Sequence, residues 1–293
     1  RMSAPVSPSI RLLTPADEHT IRELLAAADH AICQPYPGDL RWMLALGMTV
    51  GRFVEGGRFP GLPSRDRLAA ALGLTWPSAG QAWLGLAVAR DLADMPALRS
   101  SLHRRMAEGD VSRVLATVSD AERDWLGAAL LDSAPQTVTS LITMERATGD
   151  GLPCRDGPPA IARLGQEHLA EVAVLEERLF PGWARHDRTA LRAALAAHPL
   201  SLVALDHGAV VGYGLVGQRD ELGMLVRLAV DAPWQGRGIG GNLVRCLLAT
   251  LAKTGAARLL LNVERGNERA QAFYLSQGFT EHPLRSSVLS LLS

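Results

Sequence analysis

Seven residues, Gln235-Gly236-Arg237-Gly238-Ile239-Gly240-Gly241, carry the densest chemical signal in the chain. Glycines let the backbone approach a ligand closely, so successive amide N–H groups can converge on phosphate oxygens where a helix begins. The helix dipole favours negative charge there by ~0.3–1 kcal/mol per exposed charge. Two ligands compete for such a loop. One is a dinucleotide, because Gly236-x-Gly238-x-x-Gly241 satisfies the G-x-G-x-x-G spacing and Glu264 closes the next apolar run, where a ribose-binding acid belongs. The other is the pyrophosphate of coenzyme A. The patterns G-x-S-x-G, H-E-x-x-H and C-x-x-C are absent, and no metal site is expected.

The elements that position these residues are legible around them. Met224 to Val230 is an apolar run that reads as a buried strand, broken by Asp231-Ala232-Pro233-Trp234. Ile239, Leu243, Val244, Leu247, Leu248 and Leu251 recur at spacings of three and four, which predicts a helix ending near Lys253 and Gly255. Arg258 to Val263 is a second strand and Asn267 to Gln277 a second helix, closed by Gly278 and Phe279. A dinucleotide fold places its first glycine at the strand's end with several βα units still to come. Here Pro233, Trp234 and Gln235 intervene, and only 29 residues follow Glu264.

The stretch resembles the GNAT superfamily of acyl-CoA N-acyltransferases. Gln235, Gly238 and Gly240 match its Arg/Gln-x-x-Gly-x-Gly/Ala signature. Asn267, Ala270, Tyr274, Gly278 and Phe279 match its Asn-x-x-Ala…Tyr…Gly-Phe signature. The resemblance implies acetyl-CoA as acyl donor, its pantetheine arm lying between the strands 224–230 and 258–263. Backbone groups of Leu228, Ala229 and Val230 would pair with that arm, and Gln235, Gly236, Arg237, Gly238, Ile239, Gly240 and Gly241 would cradle the pyrophosphate. Asn267 would cap its helix and touch the cofactor, and Tyr274 would be the general acid for the departing thiolate. The strand 224–230 holds no carboxylate, and Asn262 stands where ribosomal-protein N-terminal acetyltransferases have glutamate. Glu221 is therefore the first candidate for general base, with Asp220, His207, Glu264 and a water chain behind it.

Upstream, Ser9 to Leu13 reads as a strand, and Thr14-Pro15-Ala16-Asp17 as a capped helix start running to about Asp29. Leu40 to Val50 reads as helical, Phe53 to Pro63 as irregular and lid-like, and Ser64-Arg65-Asp66 as leading a short helix through Leu72. Gln81 to Arg90, Val111 to Val118 and Thr137 to Glu145 read as strands, with helices over Ala97 to Glu108 and Ala121 to Leu131. Thr148 to Pro159 is the best linker. After it the order β-α-α-β-β-β-α-β-α-β resembles the GNAT fold over 160–293. Trp83-Leu84-Gly85-Leu86-Ala87-Val88 also lines up with Leu225-Val226-Arg227-Leu228-Ala229-Val230, and the following elements recur at similar spacing.

The expected fold is therefore α/β (α+β), with two GNAT-like domains, each a mixed, mostly antiparallel sheet flanked by helices. Residues 1–149 would be a degenerate copy, 150–159 a linker and 160–293 the acetyl-CoA-binding domain. In the first copy Ala93, Pro96 and Leu98 replace Gln235, Gly238 and Gly240, and Asp91 and Asp94 would repel phosphate.

Thirty basic residues balance thirty acidic ones, so no nucleic-acid or anionic-membrane partner is expected. Three widely spaced cysteines, Cys33, Cys154 and Cys246, fit a reducing, cytoplasmic setting, with Cys246 a small buried side chain. No apolar run reaches the ~18 residues of a membrane helix. The leading expectation is an N-acetyltransferase acting on a small-molecule primary amine, as a monomer (a pseudo-dimer of its halves) or weak homodimer. A protein lysine or N-terminal acetyltransferase is the alternative. A nucleotide-dependent oxidoreductase or methyltransferase, or a non-enzymatic acyl-CoA sensor, represents other classes.

Overall fold

Two compact units emerge in the computed structural model, which describes residues 9–34, 40–54, 67–78, 80–108, 111–130, 135–149, 153–155 and 157–292. One unit runs to Val138 and takes in the chain from Ser287 onward; the other spans Thr139–Ser286.

The first unit is built from β1 (Ser9–Leu12), α1 (Glu18–Ala27), β2 (His30–Cys33), α2 (Leu40–Ala45), β3 (Thr49–Val54), β4 (Arg67–Ser78), β5 (Gln81–Ala89), α3 (Met95–Glu108), β6 (Arg113–Ser119) and α4 (Asp120–Leu130). Its strands run in the order β1-β3-β4-β5-β6, with β2 on β5. The pairs β1–β3, β3–β4, β4–β5 and β2–β5 are antiparallel, and β5–β6 is parallel. The Thr14-x-x-Asp17 spacing closes on itself at the entry: the Thr14 N–H donates to Asp17 Oδ2 at 2.8 Å.

The expected helix leading through Leu72 is instead strand β4. An alanine-rich run favours helix by local propensity, but Leu68, Ala69, Ala70, Ala71, Leu72 and Leu74 are all buried, as a central strand covered on both faces requires. The chain at Leu40 is helical only to Ala45 and then enters β3. Most of the expected irregular stretch, 55–63, lies outside the described residues.

The second unit holds most of β7 (Gln136–Ala147), then β8 (Ala160–Arg163), α5 (Leu169–Leu179), α6 (Arg188–Ala197), β9 (Leu202–Asp206), β10 (Ala209–Arg219), β11 (Leu222–Val230), α7 (Ile239–Lys253), β12 (Arg258–Glu264), α8 (Glu268–Ser276) and the start of β13 (Thr280–Leu292). The order β7-β12-β11-β10-β9-β8 contains one parallel pair, β11–β12; the other four are antiparallel. That is a mixed, mostly antiparallel sheet flanked by helices. Asp187 caps α6, its Oδ1 accepting from the Thr189 N–H at 2.6 Å.

These units differ from a boundary at 149. Strand β7 pairs with β12 from Leu141↔Glu264 to Ala147↔Arg258, which places residues 139–147 in the second unit. The end of β13 instead enters the first unit's core, where Leu289 and Leu291 are buried with Leu84, Val114 and Ala116. Order along the chain does not show which strands pair across long separations.

Candidate functional site

A left-handed residue begins the helix after the glycine loop. Gly238, at φ +81°, stands directly before α7, and Gly236 has φ +76°. Both are conformations that L side chains rarely adopt. The first helical bond closes only at Asn242, whose N–H donates to Gly238 O at 3.0 Å. The amides ahead of it have no intrahelical acceptor, and among the described residues no side chain caps this end. The Gln235 Nε2 donates to Val230 O at 2.8 Å and ties the loop to the end of β11, while the Arg237 guanidinium lies 4.8 Å from the Trp234 ring centroid. Gly240 has a packing role: a Cβ there would stand 3.3 Å from the Phe273 ring. It brings the start of α7 onto α8.

Beside this loop the sheet opens. Strands β11 and β12 pair only from Leu222↔Arg258 to Leu225↔Leu261, although both continue toward the same end. Val226 is an extra residue against β10, where Val216 pairs with Leu225 but Leu215 with Arg227. Such a bulge bends its strand, and here it coincides with the parting point. Beyond it Leu228, Ala229 and Val230 keep β10 on one edge, and no described strand pairs with the other.

Tyr274 is on α8, which Asn267 caps by accepting from the Ala270 N–H at 3.0 Å. The phenol ring lies edge-on to Phe273 and Phe279, at centroid distances of 5.1 and 5.6 Å. Burial pushes its pKa well above the ordinary tyrosine range, so it is protonated and can donate.

Glu221 is not brought to this opening. It is exposed at the opposite, paired end of β11, where its carbonyl accepts from the Ala257 N–H at 2.7 Å. Roughly 23 Å of extended chain separates it from Leu228. Asp220 and His207 lie in exposed positive-φ turns. Glu264 ends β12 on the open side, half-buried, with Thr139 Oγ1 donating to its Oε2 at 3.3 Å.

Sequence reasoning missed a buried polar cluster next to β11. Glu176 of α5 is fully buried and accepts from the His186 N–H at 2.9 Å and from the Tyr213 hydroxyl. Its Oε1 also lies 3.2 Å from Arg227 Nε. The Arg227 guanidinium stacks 4.2 Å from the Phe180 ring centroid and donates to Ala184 O. Burial opposes ionisation of Glu176, but His186, Arg227 and Tyr213 outweigh it and hold the carboxyl below its ordinary range. Burial, then the Arg227 charge, lowers His186 to about 4, so its ring is neutral at pH 7. The cluster fastens the segment 180–186 to the strand that lines the opening. A carboxylate on the Leu169/Val172/Leu175 face of α5 and an arginine within an apolar strand were the available signals.

Cys246 is buried as expected, but it is paired: a disulfide joins it to Cys154, with Cα atoms 5.0 Å apart. Among the described residues, no group of three or more His, Cys, Asp or Glu is placed to hold a metal, and no helix is long and apolar enough to cross a membrane.

The first unit's counterpart is closed. Strands β5 and β6 also part early, pairing only from Gln81↔Arg113 to Trp83↔Leu115. Its free edge is then taken by β2, from Cys33↔Leu86 to His30↔Ala89. Asp91 accepts from the Ala93 N–H at 2.9 Å, and Asp94 pairs with Arg52 at 2.7 Å, so Asp94 is not the uncompensated charge the sequence suggested.

Comparison with known proteins agrees with this geometry. Residues 169–279 match the model of the acetyltransferase (GNAT) family. An uncharacterized N-acetyltransferase of Mycobacterium tuberculosis is 33% identical over 125 residues, covering 42% of this chain and 72% of the relative. Mycothiol acetyltransferase of Corynebacterium efficiens is 33% identical over 101 residues, 34% of each chain. A solved tandem GNAT protein from the clavulanic acid biosynthesis pathway shares the fold at TM-score 0.64 and 17% identity, over 97% of this chain and 98% of its own. The glycine loop, the parted strands and these matches together establish that the chain belongs to the GNAT family of N-acetyltransferases.

Proposed function

We propose that the second unit binds acetyl-CoA and transfers its acetyl group to the primary amine of a small molecule. The observation that carries this reading is the open edge of β11 after Leu225, which ends at the glycine loop; the helix that carries Tyr274 packs its Phe273 beside Gly240 of that loop. An extended pantetheine arm can add to that edge as a strand would, pairing with backbone groups of Leu228 to Val230. The loop amides from Gly236 to Gly241 and the positive end of α7 suit the pyrophosphate.

The residues then have separate tasks. A backbone amide of the bulged strand polarises the thioester carbonyl. The amine nitrogen forms the new C–N bond as the C–S bond breaks. Tyr274 gives its proton to the departing thiolate sulfur, and the proton lost from the amine passes to Glu264, directly or through water. The Glu176–Arg227–His186 cluster holds the segment 180–186 as a fixed wall beside the strand.

A panel of small amines, lysine peptides and free N-terminal peptides, each incubated with acetyl-CoA, tests the proposal through thiol release. Turnover with a small amine supports it. Turnover confined to peptides would transfer the reading to a protein acceptor, and no turnover with any acceptor would remove it.

A further inference from the structure

Arg245 lies on α7 one turn beyond Asn242, and it is 9% exposed with no hydrogen-bond partner for its buried Nε. Asn242 uses both ends of its amide to hold the backbone of Arg155: Oδ1 accepts from the Arg155 N–H at 2.8 Å, and Nδ2 donates to Arg155 O at 3.0 Å. The adjacent Cys154 is bonded to Cys246. The segment 153–155 is thereby fixed along α7 at two points, which delivers Arg155 to the helix beside Arg245. A third arginine comes from β7. Arg146 donates to Gln277 O, and its guanidinium carbon would stand 3.5 Å from a Cβ on Gly278. Gln277 in turn lies against α7 at Gly241.

Gathering like charges is unfavourable unless something answers them. Among the described residues, no carboxylate pairs with Arg245. Burial, then Arg155 and Arg146, holds its pKa below the ordinary arginine value. A phosphate, accepting several charge-assisted bonds at once, is the ligand that completes such an arrangement.

We propose that Arg146, Arg155 and Arg245 form a binding site for a phosphate monoester on the flank of α7, separate from the loop 235–241. Arg245 stands six residues beyond Ile239, about 9 Å along the helix, so one ligand can reach both places. Two sources supply this chemistry. One is the 3′-phosphate of coenzyme A, which rests on the acyl-CoA reading above; the other is a separate phosphorylated ligand.

The test compares wild type, Arg245→Gln and Arg155→Gln, using coenzyme A, dephospho-coenzyme A and inorganic phosphate at constant ionic strength. If the 3′-phosphate is the occupant, wild type binds coenzyme A about tenfold more tightly than the dephospho form. The variants then lose that difference but keep their affinity for the dephospho form. If the occupant is separate, inorganic phosphate raises the Tm of wild type saturated with coenzyme A and leaves the variants unchanged. Should neither form of coenzyme A bind, the acyl-CoA reading falls, and phosphate titration of the free protein decides this one. Arg155→Gln leaves the backbone anchors to Asn242 in place, so it guards against a folding defect. Equal responses of wild type and Arg155→Gln to every probe overturn the proposal.

Discussion

Ile32 is the ladder partner of Ala87, whereas Ala229, the counterpart of Ala87 in the sequence repeat, has Tyr213 on one edge and no described strand on the other. The same early parting of two parallel strands occurs in both units. Strand β2 fills it in the first, with the Gln34 N–H extending the contact to Gly85 O at 2.8 Å.

It follows that mending the first unit's loop does not create a site. Pro96→Gly combined with Leu98→Gly is expected to leave acetyl-CoA stoichiometry at one per chain, because β2 still covers the edge. Calorimetric titration of this variant checks it, and a second binding event would show that the loop alone had closed that half.

Tyr274→Phe retains the ring contacts with Phe273 and Phe279 and removes only the hydroxyl. We expect kcat to fall by ~10²–10⁴-fold with little change in acetyl-CoA affinity. Steady-state kinetics beside direct binding separates the two. An unchanged kcat would leave Tyr274 a packing residue.

Glu221 and Glu264 make a paired test of base placement. Glu221→Gln is expected to leave kcat within about twofold, since it sits at the far end of β11. Glu264→Gln is expected to lower kcat by about tenfold or more. The reverse result would place the reaction at the wrong end of the strand.

The buried cluster makes stability depend on pH. The folded-state pKa of His186 is about 4, below its unfolded value of 6.5, so on acidification the unfolded chain takes up the proton first. Stability is full above about 6.5 and declines toward 4, by on the order of 3 kcal/mol for this group. Glu176, also depressed, adds a loss as pH falls below the ordinary carboxyl range. Urea denaturation of wild type and His186→Gln across this window should show a shallower slope in the variant. Parallel slopes would contradict the assignment.

What the sequence made legible was local. The glycine loop, the helix after it and the Asn267 cap follow from conformational freedom and short spacings, and all lie where the pattern put them. The parting of β11 from β12 came from the family resemblance, not from residue types. Long-range features were not legible. Glu176, His186, Tyr213 and Arg227 meet only after the helices pack on the sheet, and nothing in His30–Cys33 marks it as the cover of another strand's edge. Strand β4 was misread because its alanines favour a helix until burial on both faces decides otherwise.

Calorimetric titration of the full chain and of Gly238→Val with acetyl-CoA tests the central claim most directly. A valine at φ +81° would disrupt the turn that aims the loop amides. The account predicts one site per chain in wild type and none in the variant, with circular dichroism showing both folded. Two equivalent sites, or undiminished binding by the variant, would contradict it.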